Sequence, residues 1–180
     1  MSYYDFNTAT NQANFDLIPK GTIAKVNLRI KRGGYNDAES GWTGGYATKN
    51  DISGAIYLDC EFTILSGEYA KRRVWSMIGL YSEKNNNRWG EIGRSFIRSI
   101  LNSARGFSDK EDSEYAKYAR KINNFGDLEN LEFFITRIDI EVDQSGNEKN
   151  VIKVALDPYH KDYVKFMDNN ADITDIAGWR

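Results

Sequence analysis

A strict alternation of apolar and polar side chains in residues 22–32 constrains the fold more than any other feature of the chain. One set of positions is apolar: Ala24, Val26, Leu28 and Ile30. The other set is polar and mostly basic: Lys25, Asn27, Arg29 and Lys31. Because successive side chains of a strand point to opposite faces, this period of two predicts a strand with one buried face and one basic, solvent-exposed face.

Residues 70–81 repeat the pattern with a more distinctive outer face. The inward positions are Val74, Ile78 and Leu80, and the outward positions are Lys71, Arg73, Trp75, Met77 and Tyr81. Cations neutralise phosphates and aromatic faces stack on unpaired bases, so this face is a candidate surface for single-stranded nucleic acid. A plainer interpretation is an edge strand that its charge keeps soluble, with Trp75 covered by a loop.

Periodicity places the remaining elements. A period of two predicts strands at 52–65, 133–143 and 150–157, the last two joined by a hairpin turn at 144–147. The buried face of the first of these strands holds Ile52, Ile56, Leu58, Cys60, Phe62 and Ile64. A helical period predicts a helix at 88–105 that Gly106 ends. A second, more polar helix follows at 112–123, with a weak apolar stripe of Tyr115, Tyr118, Ala119 and Ile122.

The segment 33–50 carries five glycines and is expected to form a flexible loop without regular structure. Three large aromatic side chains lie within it: Tyr35, Trp42 and Tyr46. Flexible loops that carry large aromatics commonly use them in binding. The alternative is that one or two of them tuck under the loop as a small satellite core.

Composition excludes several classes of protein. The chain of 180 residues predicts one domain, without an apolar run long enough to span a bilayer and without a secretory signal at its start. Cys60 and His160 are the only cysteine and histidine, which excludes a disulfide framework and a zinc cluster of these residue types. Because the two residues are far apart in the sequence, nothing supports a catalytic triad or dyad that contains them. We expect a cytoplasmic protein that is not an enzyme and needs no cofactor, with Cys60 as a small buried hydrophobe.

The charges are segregated along the chain, although the net charge is only −2. Basic residues gather in 20–32, 71–73 and 88–105, and acidic residues gather in 109–114, 139–143 and 168–175. This pattern allows one basic surface on an acidic body. The acid pairs Asp59 with Glu61 and Asp139 with Glu141 are interpreted as solvated strand positions rather than Mg²⁺ ligands, and Asp59 is expected to pair with Lys25.

The order of three strands, a helical region and two strands predicts a mainly β fold. It matches a five-stranded OB-type barrel with one or two helices between strands three and four. The predicted organisation is a flexible N-terminal arm at 1–16, the barrel domain at 17–167 and an acidic tail at 168–180. In an OB fold the second and third strands and two loops bind single strands. Those elements carry Tyr57, Arg73, Trp75, Tyr35, Trp42 and Tyr46.

Several motifs resemble those of a known family. They are FDLIPKG at 15–21 before the first strand, the glycine-rich segment after it, YLDCEF at 57–62, and GEY at 67–69 followed by KRRVW at 71–75. In these motifs, which span roughly 15–163, the chain resembles phage-encoded and prophage single-stranded DNA-binding proteins with an OB fold. The resemblance implies a role in phage DNA replication and recombination in a bacterial cytoplasm.

The sequence therefore predicts a sequence-tolerant single-stranded DNA-binding protein. Phosphates are expected to contact Lys25, Arg29, Lys31, Arg32, Lys71 and Arg73. Bases are expected to stack on Trp75 and on some of Tyr35, Trp42, Tyr46 and Tyr57. The acidic tail is a candidate contact for replication or recombination proteins, and homo-oligomerisation stays open. The alternative is a protein-interaction or assembly module that uses the aromatic glycine-rich loop, and a metal-dependent nuclease is a more distant third.

Overall fold

In the computed structural model of the chain, residues 3–10 and 16–177 are described, with side chains as far as Asn170. Within these residues there are seven strands and four α-helices. The strands are β1 (Ile23–Lys31), β2 (Tyr35–Asp37), β3 (Trp42–Lys49), β4 (Ile56–Ile64), β5 (Arg73–Tyr81), β6 (Phe134–Val142) and β7 (Glu148–Ala155). The helices are α1 (Arg88–Arg105), α2 (Glu114–Ala119), α3 (Gly126–Glu129) and α4 (Lys161–Ala177).

All strand pairs are antiparallel and belong to one strongly curled sheet that forms a half-barrel. The central ladder runs β5–β4–β1–β6–β7. β3 extends it by pairing with the start of β4, beyond the part of β4 that β1 occupies. The curl brings the two end strands together, and the hydroxyl of Ser76 on β5 donates to the carbonyl of Ile152 on β7 at 3.0 Å.

The inner face of the sheet forms the core, and α1 covers one side of it. Phe62 on β4 packs edge-on against Phe134 and at a shallow angle against Phe96 of α1, with ring centroids 6.1 and 6.3 Å apart. The helix approaches β5 so closely that a β carbon added at Gly93 would lie 1.7 Å from the carbonyl oxygen of Gly79. Two glycines at this crossing therefore fix how α1 sits against the sheet.

The predicted inward faces of β1 and β5 are buried in the structure. The apolar positions of β1 are all buried, and so are Val74, Ile78 and Leu80 of β5. α1 has the predicted bounds and ends at Gly106, whose φ of +85° is the left-handed conformation that suits glycine. β4 begins only at Ile56, and the prediction that Ile52 shares the buried face is wrong, since Ile52 lies fully exposed in the preceding turn.

The prediction that residues 33–50 lack regular structure is wrong, because they form the β2–β3 hairpin. Its glycines adopt positive φ at the turn and at irregular positions of the strands, including Gly41 and Gly45. The amide of Gly45 also donates to the side-chain oxygen of Asn36 at 2.7 Å. The described chain therefore has seven strands rather than the five that were predicted.

The helical predictions after α1 need correction. α2 covers only Glu114–Ala119, and Tyr115 and Tyr118, expected on its apolar stripe, are both exposed. The predicted boundary between domain and tail at residue 168 falls inside α4. The side chains of residues 171–180, including Trp179, lie outside the described residues, as do parts of the predicted N-terminal arm. The flexibility of that arm stays a prediction.

Candidate nucleic-acid interface

The outer face of β1, β4 and β5 carries a cation, an acid and an aromatic in one row. The strand register places Arg29 of β1 opposite Glu61 of β4, and Glu61 opposite Trp75 of β5. Trp75 is 59% exposed, so its indole faces solvent as predicted. Glu61 also forms an ion pair with Arg73, whose Nε lies 3.4 Å from the carboxylate. A carboxylate therefore stands between the predicted phosphate contacts and the predicted stacking residue.

The next row repeats this order. Lys31 lies opposite Asp59, and Asp59 lies opposite Met77, which is exposed. The predicted pairing of Asp59 with Lys25 is wrong, because Lys25 lies beside β6 with its Nζ 4.2 Å from the ring centroid of Phe133. Exposed cations on β1 and exposed apolar side chains on β5 thus form two columns, with a column of carboxylates between them.

Lys71 does not belong to this face. β5 begins at Arg73, and Lys71 occupies the preceding turn with a φ of +71°. Its amide donates to the carbonyl of Ile64 at 2.7 Å, which closes the turn between β4 and β5. The neighbouring Arg72 donates to the carbonyl of Asp16 at 2.8 Å. Of the three consecutive cations, Arg73 alone stands on the strand beside Trp75.

The aromatic side chains of the β2–β3 hairpin are less available than the sequence suggested. Tyr35, Trp42 and Tyr46 are all half-buried and pack against the core, whereas at most two were expected to do so. The guanidinium of Arg32 stacks 4.4 Å from the ring centroid of Tyr46 and donates to its hydroxyl at 3.1 Å. Lys49 lies over the ring of Tyr35. A base that stacked on either tyrosine from this side would have to displace a cation.

Tyr57 forms an aromatic contact with Trp89 that was not predicted from the sequence. Its ring lies 6.3 Å from that of Trp89, and the planes are inclined by 51°. The indole of Trp89 lies directly over Gly79, where an added β carbon would come within 2.5 Å of it. A glycine in the interior of a predicted strand was the available signal, because such a residue often marks the close approach of another group.

A groove of about 380 Å³ continues the exposed side of β5 towards β7 and α1. Met77 and Gly79 line it from β5, Trp89 and Ile92 from α1, and Lys149 and Lys153 from β7. Ile92 is exposed here. Lys153 forms an ion pair with Glu141 at 2.7 Å. The two lysines were not predicted, because sequence alone does not show that β7 lies beside β5.

Neither a reactive cysteine nor a metal cluster is indicated among the described residues. Cys60 is buried as predicted, and burial raises the pKa of its thiol well above its ordinary value, which disfavours the reactive thiolate. In the described part of the chain, no group of three or more histidine, cysteine, aspartate or glutamate side chains is arranged to hold a metal ion. Nor does any helix there have the length and apolar character needed to cross a membrane.

In comparisons with known proteins, no family model matches the chain, and neither does any curated protein or solved structure.

Proposed function

We propose that the chain is a sequence-tolerant single-stranded DNA-binding protein built on an OB-type barrel. The observation that carries the proposal is the exposed pair of Trp75 and Met77 on β5, beside a groove with two lysines. A flat indole open to solvent is a stacking platform that accepts every base, since every base has a π-face. The ladder order β5–β4–β1–β6–β7 and its curl into a half-barrel support the OB-type assignment.

The binding path that these side chains support differs from the predicted one. Cations flank the stacking column on both sides. Arg29 and Lys31 lie on β1, and Lys149 lies beside the groove with Lys153, which is paired with Glu141. The carboxylates of Asp59 and Glu61 disfavour a phosphate directly over β4. We therefore expect bases to lie over β5, and phosphates to contact the cations of β1, beyond β4, and the lysines of β7. The tyrosines of the β2–β3 hairpin contribute less than predicted.

The motif resemblance extends the proposal to phage DNA replication and recombination in a bacterial cytoplasm. We propose no catalytic step and no cofactor. Replication proteins remain candidate partners of the C-terminal segment, as the sequence suggested.

Fluorescence anisotropy of labelled oligo(dT) tests the proposal. We expect binding that weakens steeply as salt rises, with a slope of about −0.7 per neutralised phosphate. Duplex of the same length should compete poorly, because stacking requires unpaired bases. Equal competition by duplex and single strand would contradict stacking on Trp75.

The alternative is a protein-interaction or assembly module. It relied on the aromatic glycine-rich loop, and half-burial of Tyr35, Trp42 and Tyr46 leaves less of that surface for a partner. The exposed Tyr115 and Tyr118, three residues apart on α2, supply a different apolar patch. Binding to an apolar protein partner would persist at salt concentrations that abolish DNA binding.

A further inference from the structure

A recess of about 580 Å³ lies between the β2–β3 hairpin, α1 and the segment that links α2 to α3. It is separate from the groove beside Trp75, because α1 presents different residues to each. Trp89, Ile92 and Gly93 face the groove, whereas Arg94, Ile97 and Arg98 line the recess. Its volume falls within the range of pockets that hold small organic ligands.

The recess has an apolar wall suited to a flat heterocycle. Trp42 lines it from the hairpin, and Ile97, Leu101 and Phe125 line it from the helical side. Trp42 is half-buried, so the hairpin holds the indole in place while part of the ring borders the recess. An immobilised aromatic ring costs little entropy when a second ring stacks on it, which favours an aromatic occupant.

The charge of the recess favours an anion, although the chain as a whole is acidic. Three arginines line it, Arg94, Arg98 and Arg120, against the single carboxylate of Glu91. Arg98 is compensated by Asp109, whose carboxylate lies 3.6 Å from its Nε. Within the described residues, neither Arg94 nor Arg120 forms an ion pair. Glu91 lies one turn before Arg94 on α1 but does not pair with it, so the positive charges of Arg94 and Arg120 are not bound by a carboxylate.

Arg120 is held in place by neutral groups alone. Its Nε donates to the side-chain oxygen of Asn102 at 2.8 Å, and its Nη2 donates to the carbonyl of Ser108 at 3.0 Å. These two bonds fix the plane of the guanidinium but use only part of its five N–H donors. Arg94, on the exposed surface of α1, adds a second cation. A planar guanidinium fixed in this way is well suited to a phosphate.

We propose that this recess binds one nucleotide, with the base against Trp42 and the phosphate at Arg94 and Arg120. A nucleotide unit of a bound strand and a free nucleotide share this chemistry. Assigning the unit to the strand rests on the proposed function. The recess would then hold one base away from the column of bases over β5.

Calorimetric titration of the full chain with thymidine 5′-monophosphate, thymidine and inorganic phosphate tests the site directly. We expect the nucleotide to bind more tightly than either fragment. Arg94→Ala should weaken nucleotide binding about tenfold, the loss expected for one charge-assisted hydrogen bond. Arg88→Ala is the matched control, because Arg88 is also exposed on α1 but does not line the recess. Equal nucleotide binding by the two variants would overturn the proposal. Phosphate binding as tight as nucleotide binding would also overturn it by showing an anion site only.

The base contact is tested separately. Trp42→Leu keeps an apolar side chain in the hairpin but removes the aromatic face, so it should weaken the nucleotide and leave phosphate binding unchanged. A melting temperature within a few degrees of wild type shows that the hairpin persists, and unchanged nucleotide affinity in that folded variant would overturn the stacking. If Trp42→Leu unfolds the chain, Trp42→Phe is used instead. Its smaller ring should lower nucleotide affinity by a smaller factor, and an unchanged nucleotide affinity would overturn the proposed stacking.

Oligo(dT) binding separates the two possible sources of the nucleotide. If one nucleotide unit of the strand occupies the recess, Arg94→Ala should weaken oligo(dT) binding. In that variant, free thymidine 5′-monophosphate should also compete less well with oligo(dT). Oligo(dT) binding that is lowered by Trp75→Ala but unaffected by Arg94→Ala would overturn the strand assignment while the proposed function stands. Nucleotide binding without any oligo(dT) binding would support a site for free nucleotides and refute the proposed function.

Discussion

Replacing Trp75 with alanine isolates the stacking contact on which the proposed interface depends. The side chain is 59% exposed, and it lies opposite Glu61 on the solvent face of the sheet. Losing one base–aromatic stack costs about 1–3 kcal/mol, so the dissociation constant for oligo(dT) should rise by roughly 5–150-fold. The effect should be similar for all base compositions, because the indole reads no hydrogen-bonding edge.

The same substitution should change stability only modestly. A large aromatic side chain buries up to roughly 250 Å², so an exposed fraction of 59% leaves about 100 Å² in contact with protein. At about 25 cal/mol per Å² this is an upper limit of about 2.5 kcal/mol, and alanine retains part of it. We therefore expect the free energy of unfolding to fall by about 1–2 kcal/mol and the chain to stay folded at 25 °C.

The assay is anisotropy of labelled oligo(dT) at fixed salt, with urea unfolding of the same preparations. Trp75→Phe should lie between wild type and alanine, because it keeps a smaller ring. Tyr118→Ala, which removes an exposed aromatic from α2, should leave affinity unchanged. The reasoning is refuted if Trp75→Ala binds normally but loses much of its stability, since Trp75 would then be a packing residue.

Three further outcomes follow from particular contacts. Glu61→Gln removes a carboxylate from the binding face and releases Arg73 from its ion pair, so oligo(dT) should bind severalfold more tightly at low salt. Weaker binding, measured by anisotropy, would contradict this and would mean that Glu61 accepts a hydrogen bond from a base N–H. Gly93→Ala forces a β carbon against a carbonyl of β5 and should lower the free energy of unfolding in urea by about 1–3 kcal/mol. The hydrogen bond from Arg137 lowers the pKa of Asp162 below its ordinary value of 3.8. The Asp162 carboxylate therefore stabilises the fold above pH 3.8, and this contribution is lost as the pH falls through the lowered pKa. The stability difference between wild type and Asp162→Asn in acid titrations should therefore shrink below pH 3.8, and a difference that grew there would contradict this.

Periodicity predicted the parts of the fold that depend on a single segment. The faces of β1 and β5 follow from their alternation, and the bounds of α1 follow from its helical spacing and the glycine after it. The β2–β3 hairpin was not predicted, because its glycines were interpreted as those of a flexible loop without regular structure. Residues such as Gly41 and Gly45 instead supply the positive φ that the hairpin needs.

The candidate site was harder to predict because it depends on which segments meet. Alternation placed Arg29 and Trp75 on outer faces but could not give the register that sets Glu61 between them. Likewise, nothing local to residues 148–155 shows that Lys149 lies across a groove from Met77. The recess at Trp42 joins three distant segments and had no signature in the sequence.

The approach of β5 to β7 has a consequence for how the protein behaves at high concentration. In the described sheet, β5 has a ladder only with β4, and β7 only with β6, so each end strand keeps a free backbone edge. Unpaired edges are templates for intermolecular strand addition. Here the two edges shield each other, and the Ser76 hydroxyl bridges them. Resistance of the chain to self-association therefore depends on the contact between the edges of β5 and β7. We expect substitutions that separate these strands to cause self-association before any secondary structure is lost.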